Sequence, residues 1–147
     1  MNKFYNYKLN NWQIFVVKKV DSTMNEIKKN SYKSQRNTIL MAYKQTNGKG
    51  RKNRKWVSDL GNLFLSIKLS SLNMSNLYIL NYLIGIIMYD TVNSLLIKKA
   101  NLCIKWPNDI LIKKKKIAGI LIDTISNGNK ISDYYIGVGL NTKVAPK

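Results

Sequence analysis

The chain has 147 residues, 45% of them hydrophobic, with 25 Lys or Arg against 7 Asp or Glu, one Cys and no His. That length suits one domain able to bury roughly 68–70% of its unfolded surface. One Cys excludes an internal disulfide or a Cys-rich zinc site, and the absence of His excludes Ser-His-Asp, Cys-His and His-zinc chemistry. The formal charge of +18 is mostly Lys spread along the chain with abundant Asn, Ile and Tyr, a mixture typical of AT-biased coding, so no specific nucleic-acid partner is expected.

The N-terminal Met1 to Tyr7 lacks the apolar core of a secretory signal. Ile14 to Val17 is rich in β-formers and predicts a strand. Asp21-Ser22-Thr23 then opens a helix, with Thr23 and Glu26 at capping-box spacing, fading by Asn30. Thr38 to Tyr43 predicts a second strand. From Gln45 to Lys55 the hydrophobic period disappears in a charged segment read as a functional loop. Leu63, Leu65, Ile67 and Leu69 alternate as in a half-buried strand. Leu77, Leu80, Ile84, Met88, Thr91 and Leu95 trace one apolar helical face. Asn81 and Asp90 interrupt that stretch, which falls short of the roughly 20 apolar residues of a membrane span. Strands are predicted at Leu102–Lys105, Ile110–Ile112 and Ile117–Thr124, with Cys103 read as a buried structural thiol. An Asn127-Gly128 turn leads to a last strand near Tyr134–Gly137. The expected fold is α+β, a mostly antiparallel mixed sheet with helices on one face, in a soluble cytoplasmic protein.

Three polar segments interrupt this scaffold. Gly48-Lys49-Gly50-Arg51-Lys52-Asn53-Arg54 combines glycines, which admit positive φ and close backbone approach, with cations that grip phosphate. Arg36, Arg51 and Arg54 are the only arginines, and two fall here. By itself the segment reads equally as an anion site or a solvated loop, and it lacks P-loop spacing. Lys105-Trp106-Pro107-Asn108-Asp109 reads either as a strand-to-strand turn or as a place where Asp109 holds Mg²⁺ near phosphate. Lys113 to Lys115 reads as a wet hairpin turn, whereas Lys116 starts an apolar strand and can point into a cleft beside Gly119, whose missing side chain leaves room for a ligand.

In order and spacing, Asp21-Ser22-Thr23, the Gln45 to Trp56 loop, Lys-Trp-Pro-Asn-Asp, Lys116-Ile-Ala-Gly-Ile-Leu and Gly137-Val-Gly139-Leu-Asn141 together resemble the biotin protein ligase signature. The resemblance covers nearly the whole chain. It implies ATP-dependent activation of biotin to biotinyl-5′-AMP and transfer to a lysine of a biotin carboxyl carrier domain. It implies that Ser22, Thr23, Met24 and Gln45 hold biotin, together with Gly48, Lys49, Gly50, Arg51, Lys116, Gly119, Gly137 and Gly139. Lys116 and Arg51 take the catalytic roles. Arg51, Arg54, Trp56, Lys105, Asn108, Asp109, Lys116 and Asn141 fall on the ATP side, with Mg²⁺ at Asp109. Lys49 stands where the family has Arg, Asn53 where it has Gly, and Met24 where it commonly has Asn. Family members continue past the equivalent of Lys147 with further elements and a small β-barrel domain, and residues 1–147 leave no room for an N-terminal DNA-binding domain. A gene fragment or a reduced ligase is therefore expected. The alternatives are an inactive remnant, a lipoate or octanoyl transferase of the same fold, and a non-catalytic basic binding module.

Overall fold

The computed structural model describes residues 3–32, 37–70, 77–98, 100–128 and 130–143, with the side chains of Lys3 and Phe4 left aside. Arg36 lies outside these residues. In chain order they form β1 (Lys3–Leu9), β2 (Trp12–Val20), α1 (Thr23–Glu26), a 3-10 turn (Asn30–Tyr32) and β3 (Asn37–Gln45). A small hairpin follows, β4 (Gly48–Lys49) and β5 (Lys55–Trp56), around a 3-10 turn at Arg51–Asn53. Then come β6 (Leu63–Ser70), α2 (Leu77–Leu95), β7 (Leu102–Lys105), β8 (Asp109–Ile112), β9 (Lys115–Asn127) and β10 (Lys130–Leu140).

Eight strands make one sheet in the order β1-β2-β3-β6-β10-β9-β8-β7, and β4-β5 form a separate ribbon. Only β2 and β3 run parallel, because α1 carries the chain between them; the other neighbours are antiparallel. The β8–β9 hairpin turns through Lys113 (φ 49°) and Lys114 (φ 65°), the pair of left-handed residues a two-residue turn requires. The wet lysine turn is thus borne out.

The class and the antiparallel sheet match expectation, but the helices do not share one face. Tyr134, Ile136 and Val138 of β10 pack with Leu80 of α2. Tyr135, between them, packs with Met24, Ile27 and Tyr32 of the α1 segment. Successive side chains of a strand point to opposite faces, so α2 covers one face and α1 the other. For the same reason β6 is not half-buried. Phe64, Ser66 and Lys68 are buried on one face while Leu65, Ile67 and Leu69 pack under α2 on the other.

Two further expectations change. On α2 the buried line runs through Leu80 and Val92, whereas Thr91 is exposed and Leu95 is 71% exposed. A four-residue step from Met88 reaches Val92, which continues the stripe that packs on Leu102 and Ile110. Cys103 is exposed, because Leu102 takes the inward position on β7 and strand alternation turns its neighbour out. β1, which no sequence signal marked, pairs with β2 and ends the sheet. No helix among the described residues is long and apolar enough to cross a membrane.

Candidate functional site

The α1 face of the sheet carries a cleft of about 420 Å³. Its floor exists because β9 and β10 present glycine there: Gly119 is paired with Gly139, and Gly137 with Leu121. A Cβ on Gly139 would lie 2.4 Å from Trp56 Cε2, and one on Gly137 would lie 2.9 Å from Met24 Sδ. The room expected beside Gly119 is filled, since a Cβ there would meet Trp56 Cζ3 at 2.7 Å and Lys116 Nζ at 3.1 Å. The three glycines therefore seat Trp56, Met24 and Lys116 directly on the strands, and the cleft opens beside those side chains.

One wall is a chain of buried polar groups. Gln45 Oε1 accepts from the Thr23 backbone N–H (2.7 Å) and from the Thr23 hydroxyl (3.0 Å). Ser66 donates to Thr23 Oγ1 at 2.9 Å. Gln45 Nε2 donates to Ser58 Oγ at 2.9 Å, and Ser58 donates to the Trp56 carbonyl at 3.1 Å. Thr23 is consequently not the helix cap. Ser22 takes the N-cap position with no side-chain bond to the helix, and its buried Oγ has no partner among the described residues. Beside them, partial burial raises the Asp21 carboxyl, but the Asn25 amide, the Ser22 N–H and Lys29 outweigh that and hold it below its ordinary 3.8.

The lining also carries cations. Lys116 Nζ lies 2.7 Å from Asp109 Oδ1 and 5.1 Å from the centre of the Trp56 ring. Arg51 donates to Asn108 Oδ1 at 3.0 Å, tying the β4–β5 loop to the turn between β7 and β8. That turn is itself anchored: Asn108 Nδ2 donates to the Ile120 carbonyl (3.1 Å) and Ile120 N–H to the Asn108 carbonyl (2.8 Å). In the loop, positive φ falls on Lys52 (53°) and Asn53 (59°) instead of a glycine, and Asn is among the residues that tolerate the left-handed region best. Gly50 is extended (φ −118°), and its N–H donates to the Arg54 carbonyl at 2.7 Å.

Of the residues proposed from sequence, the cleft brings together Ser22, Thr23, Met24, Gln45, Lys49, Gly50, Arg51, Trp56, Asn108, Lys116, Gly119, Gly137 and Gly139. Asp109 reaches it through Lys116. Gly48 and Arg54 instead border a neighbouring groove of about 750 Å³ behind the loop. Lys105 is exposed at the end of β7. Asn141 donates its backbone N–H to Ile117 (2.7 Å) and keeps a buried, unpartnered Oδ1. The described residues contain no group of three His, Cys, Asp or Glu side chains able to hold a metal, and Asp109, the carboxylate expected to hold Mg²⁺, is paired with Lys116. They do not form a magnesium cage of their own. Ser58 and Ser66 were missed, because a lone serine in a strand or loop carries no periodic or motif signal.

A family model described as the Biotin/lipoate A/B protein ligase family matches residues 16–141. The chain belongs to this family. It is similar to the biotin--[acetyl-CoA-carboxylase] ligase of Paracoccus denitrificans, 32% identical over 111 residues that make up 73% of this chain and 45% of that protein. It is also similar to the bifunctional ligase/repressor BirA of Escherichia coli, 30% identical over 137 residues, covering 91% of this chain and 42% of that one. Among solved structures it superposes on the biotin protein ligase of Leishmania major in complex with biotinyl-5-AMP, with a TM-score of 0.77 and 29% identity over 91% of this chain and 59% of that one. The biotin protein ligase of Aquifex aeolicus in complex with biotin and ATP gives a TM-score of 0.77 and 29% identity over 91% and 55%. The chain thus spans under half of the two curated relatives and somewhat over half of the two solved chains.

Proposed function

We propose that the cleft binds biotin by its ureido ring and joins the biotin carboxylate to the α-phosphate of ATP, giving biotinyl-5′-AMP and pyrophosphate. The observation that carries this reading is the polarity of the Thr23–Gln45 wall. Gln45 turns Oε1 to Thr23 and one Nε2 proton to Ser58, leaving its second proton for the cleft it lines. Thr23 has spent its proton on Gln45 and keeps a lone pair, and the Ser22 hydroxyl is wholly uncommitted. Donor, acceptor and hydroxyl side by side complement a cyclic urea, whose carbonyl accepts and whose N–H groups donate. A lipoyl or octanoyl chain has no polar ring to satisfy them.

The chemistry needs no histidine. Free carboxylates titrate near pH 4, so biotin arrives as an anion and no general base is required. Its oxygen attacks the α-phosphorus, the new C–O–P bond forms, and the bond to the β-phosphate breaks. Two anions must be brought together while charge builds on the leaving group. Lys116 and Arg51 line the same cleft as Gln45 and would do that electrostatic work. Asp109 keeps the Lys116 ammonium at this edge. Mg²⁺, if carried in with ATP, would offset phosphate charge, with Asp109 the carboxylate on this side of the cleft. In the second step the amine of an acceptor lysine attacks the mixed anhydride carbonyl, forming the amide and releasing AMP. The acetyl-CoA carboxylase in the name of the Paracoccus denitrificans relative supports the biotin carboxyl carrier domain of such a carboxylase as acceptor.

Thermal stability in biotin, in Mg-ATP and in both tests the reading. A ligand at a hundred times its dissociation constant stabilises by about 2.7 kcal/mol. The expected result is a shift with biotin that grows with ATP, the ATP increment disappearing in Lys116→Ala. No shift with biotin would sink the proposal and leave the chain as a remnant of the family.

A further inference from the structure

We infer that Ser58 and Ser66, neither of which lines the cleft, are positioning residues that decide which polar groups Gln45 and Thr23 turn toward the ligand. The inference rests on the cleft being a urea-ring site, but its structural basis does not.

The direction of every proton in the wall follows from one backbone group. The Thr23 N–H can only donate, so the atom 2.7 Å from it must be Gln45 oxygen, which fixes the orientation of the carboxamide. That oxygen can only accept, so the Thr23 hydroxyl, 3.0 Å away, donates to it. Thr23 then has no proton for Ser66, and Ser66 is the donor across 2.9 Å. On the other side Gln45 nitrogen donates to Ser58 Oγ, so Ser58 sends its own proton to the Trp56 carbonyl. The result is a one-way chain running from β6 through α1 and the end of β3 to the β4–β5 hairpin.

Each end is built to be kept. Ser66 is fully buried and Ser58 nearly so. Gly48 makes the Ser58 end possible, since a Cβ there would lie 2.5 Å from the Trp56 carbonyl, 2.7 Å from Ser58 Oγ and 2.9 Å from Gln45 Nε2. Without Ser58 the Gln45 amide loses the acceptor for one of its protons. It is then free to twist about the Thr23 contact, and the second proton no longer holds its aim. Without Ser66 the Thr23 hydroxyl loses the donor seen among the described residues and with it a fixed lone-pair direction.

Two readouts on the full chain test this: side-chain amide NMR of Gln45 and biotin affinity by calorimetry, for wild type, Ser58→Ala, Ser58→Thr and Ser66→Ala. In ligand-free wild type the two Gln45 amide protons should be widely separated, one exchanging slowly. Ser58→Ala should collapse that separation and weaken biotin about tenfold, the size of one lost hydrogen bond. Ser58→Thr, which keeps the hydroxyl, should restore both. Ser66→Ala cuts the chain at its other end and should weaken biotin by a similar factor. A merely structural serine would lower stability and leave the Gln45 signals alone. Unchanged signals in Ser58→Ala, or biotin affinity within twofold of wild type in both alanine variants, would overturn the inference. If wild type ignores biotin, the urea-ring reading fails, and the ligand-free Gln45 signals still decide whether Ser58 positions the amide.

Discussion

On β10 the side chains of Tyr134, Ile136 and Val138 are buried toward α2, whereas Tyr135, Gly137 and Gly139 lie on the α1 face, where the two glycines floor the cleft. On β6 the contrast repeats: Leu65 and Ile67 lie under α2, while Ser66 faces α1 and hydrogen-bonds Thr23. The same strands therefore hold the α2 core on one side and, on the other, a partly polar cleft beside the smaller cluster around Tyr135. Period-2 geometry allows this, because each face can be composed without disturbing its opposite. Stability and ligand recognition are expected to separate along that division.

The largest effect on stability should come from the apolar face. Ile136 is fully buried against α2 and touches nothing in the cleft. Ile136→Ala should cost roughly 2–5 kcal/mol by denaturant titration. The biotin affinity of the folded protein should stay within about twofold. A large loss of affinity at unchanged stability would show that the faces are coupled.

On the cleft face the balance should reverse. Gly139→Ala places a Cβ 2.4 Å from the Trp56 ring, and the ring must leave its seat. Such overpacking costs about 1–3 kcal/mol, less than the core truncation. The displaced indole should nonetheless abolish biotin binding, read in the same calorimetric experiment. Retained affinity would mean that Trp56 does not shape the occupied cleft.

That division also explains what could be read from the sequence. The strands of the second half and α2 were legible because burial imposes a period, and the Gly48 loop, the Trp106 turn and Lys116 were legible as a set because their order and spacing are specific. Other features were not, and three of them share a cause. A helical stripe shows that α2 packs on something, but no period says which side of a sheet it covers, so α1 and α2 were placed together. Thr23 and Glu26 satisfy a local capping pattern, yet the Thr23 hydroxyl goes to Gln45, 22 residues away, since closing the sheet brings the amide within 3.0 Å. Cys103 lies in an apolar run, but alternation on an edge strand turns it outward. Long-range pairing decided each case, and a local pattern does not carry it.

The smallest effect, absent at neutral pH, concerns Tyr32, which lies beneath the cleft face in the cluster with Met24, Ile27 and Phe15. Burial, with a contribution from the Glu26 carboxylate, pushes its hydroxyl from 10.0 up to about 12. Below pH 10 both folded and unfolded chains hold the proton, and the group has no effect on the pH dependence. Between about 10 and 12 the unfolded chain releases its proton while the folded chain keeps it, so stability falls as pH rises through that window. Tyr32→Phe keeps the edge-to-face contact with Phe15, whose ring centre is 4.9 Å away, and removes the titrating group. The variant should lose less stability than wild type between pH 10 and 12, measured by denaturant titration at closely spaced pH values. Equal slopes would mean that the phenol reaches solvent when it ionises, and that the cluster under the cleft opens without unfolding the α2 face.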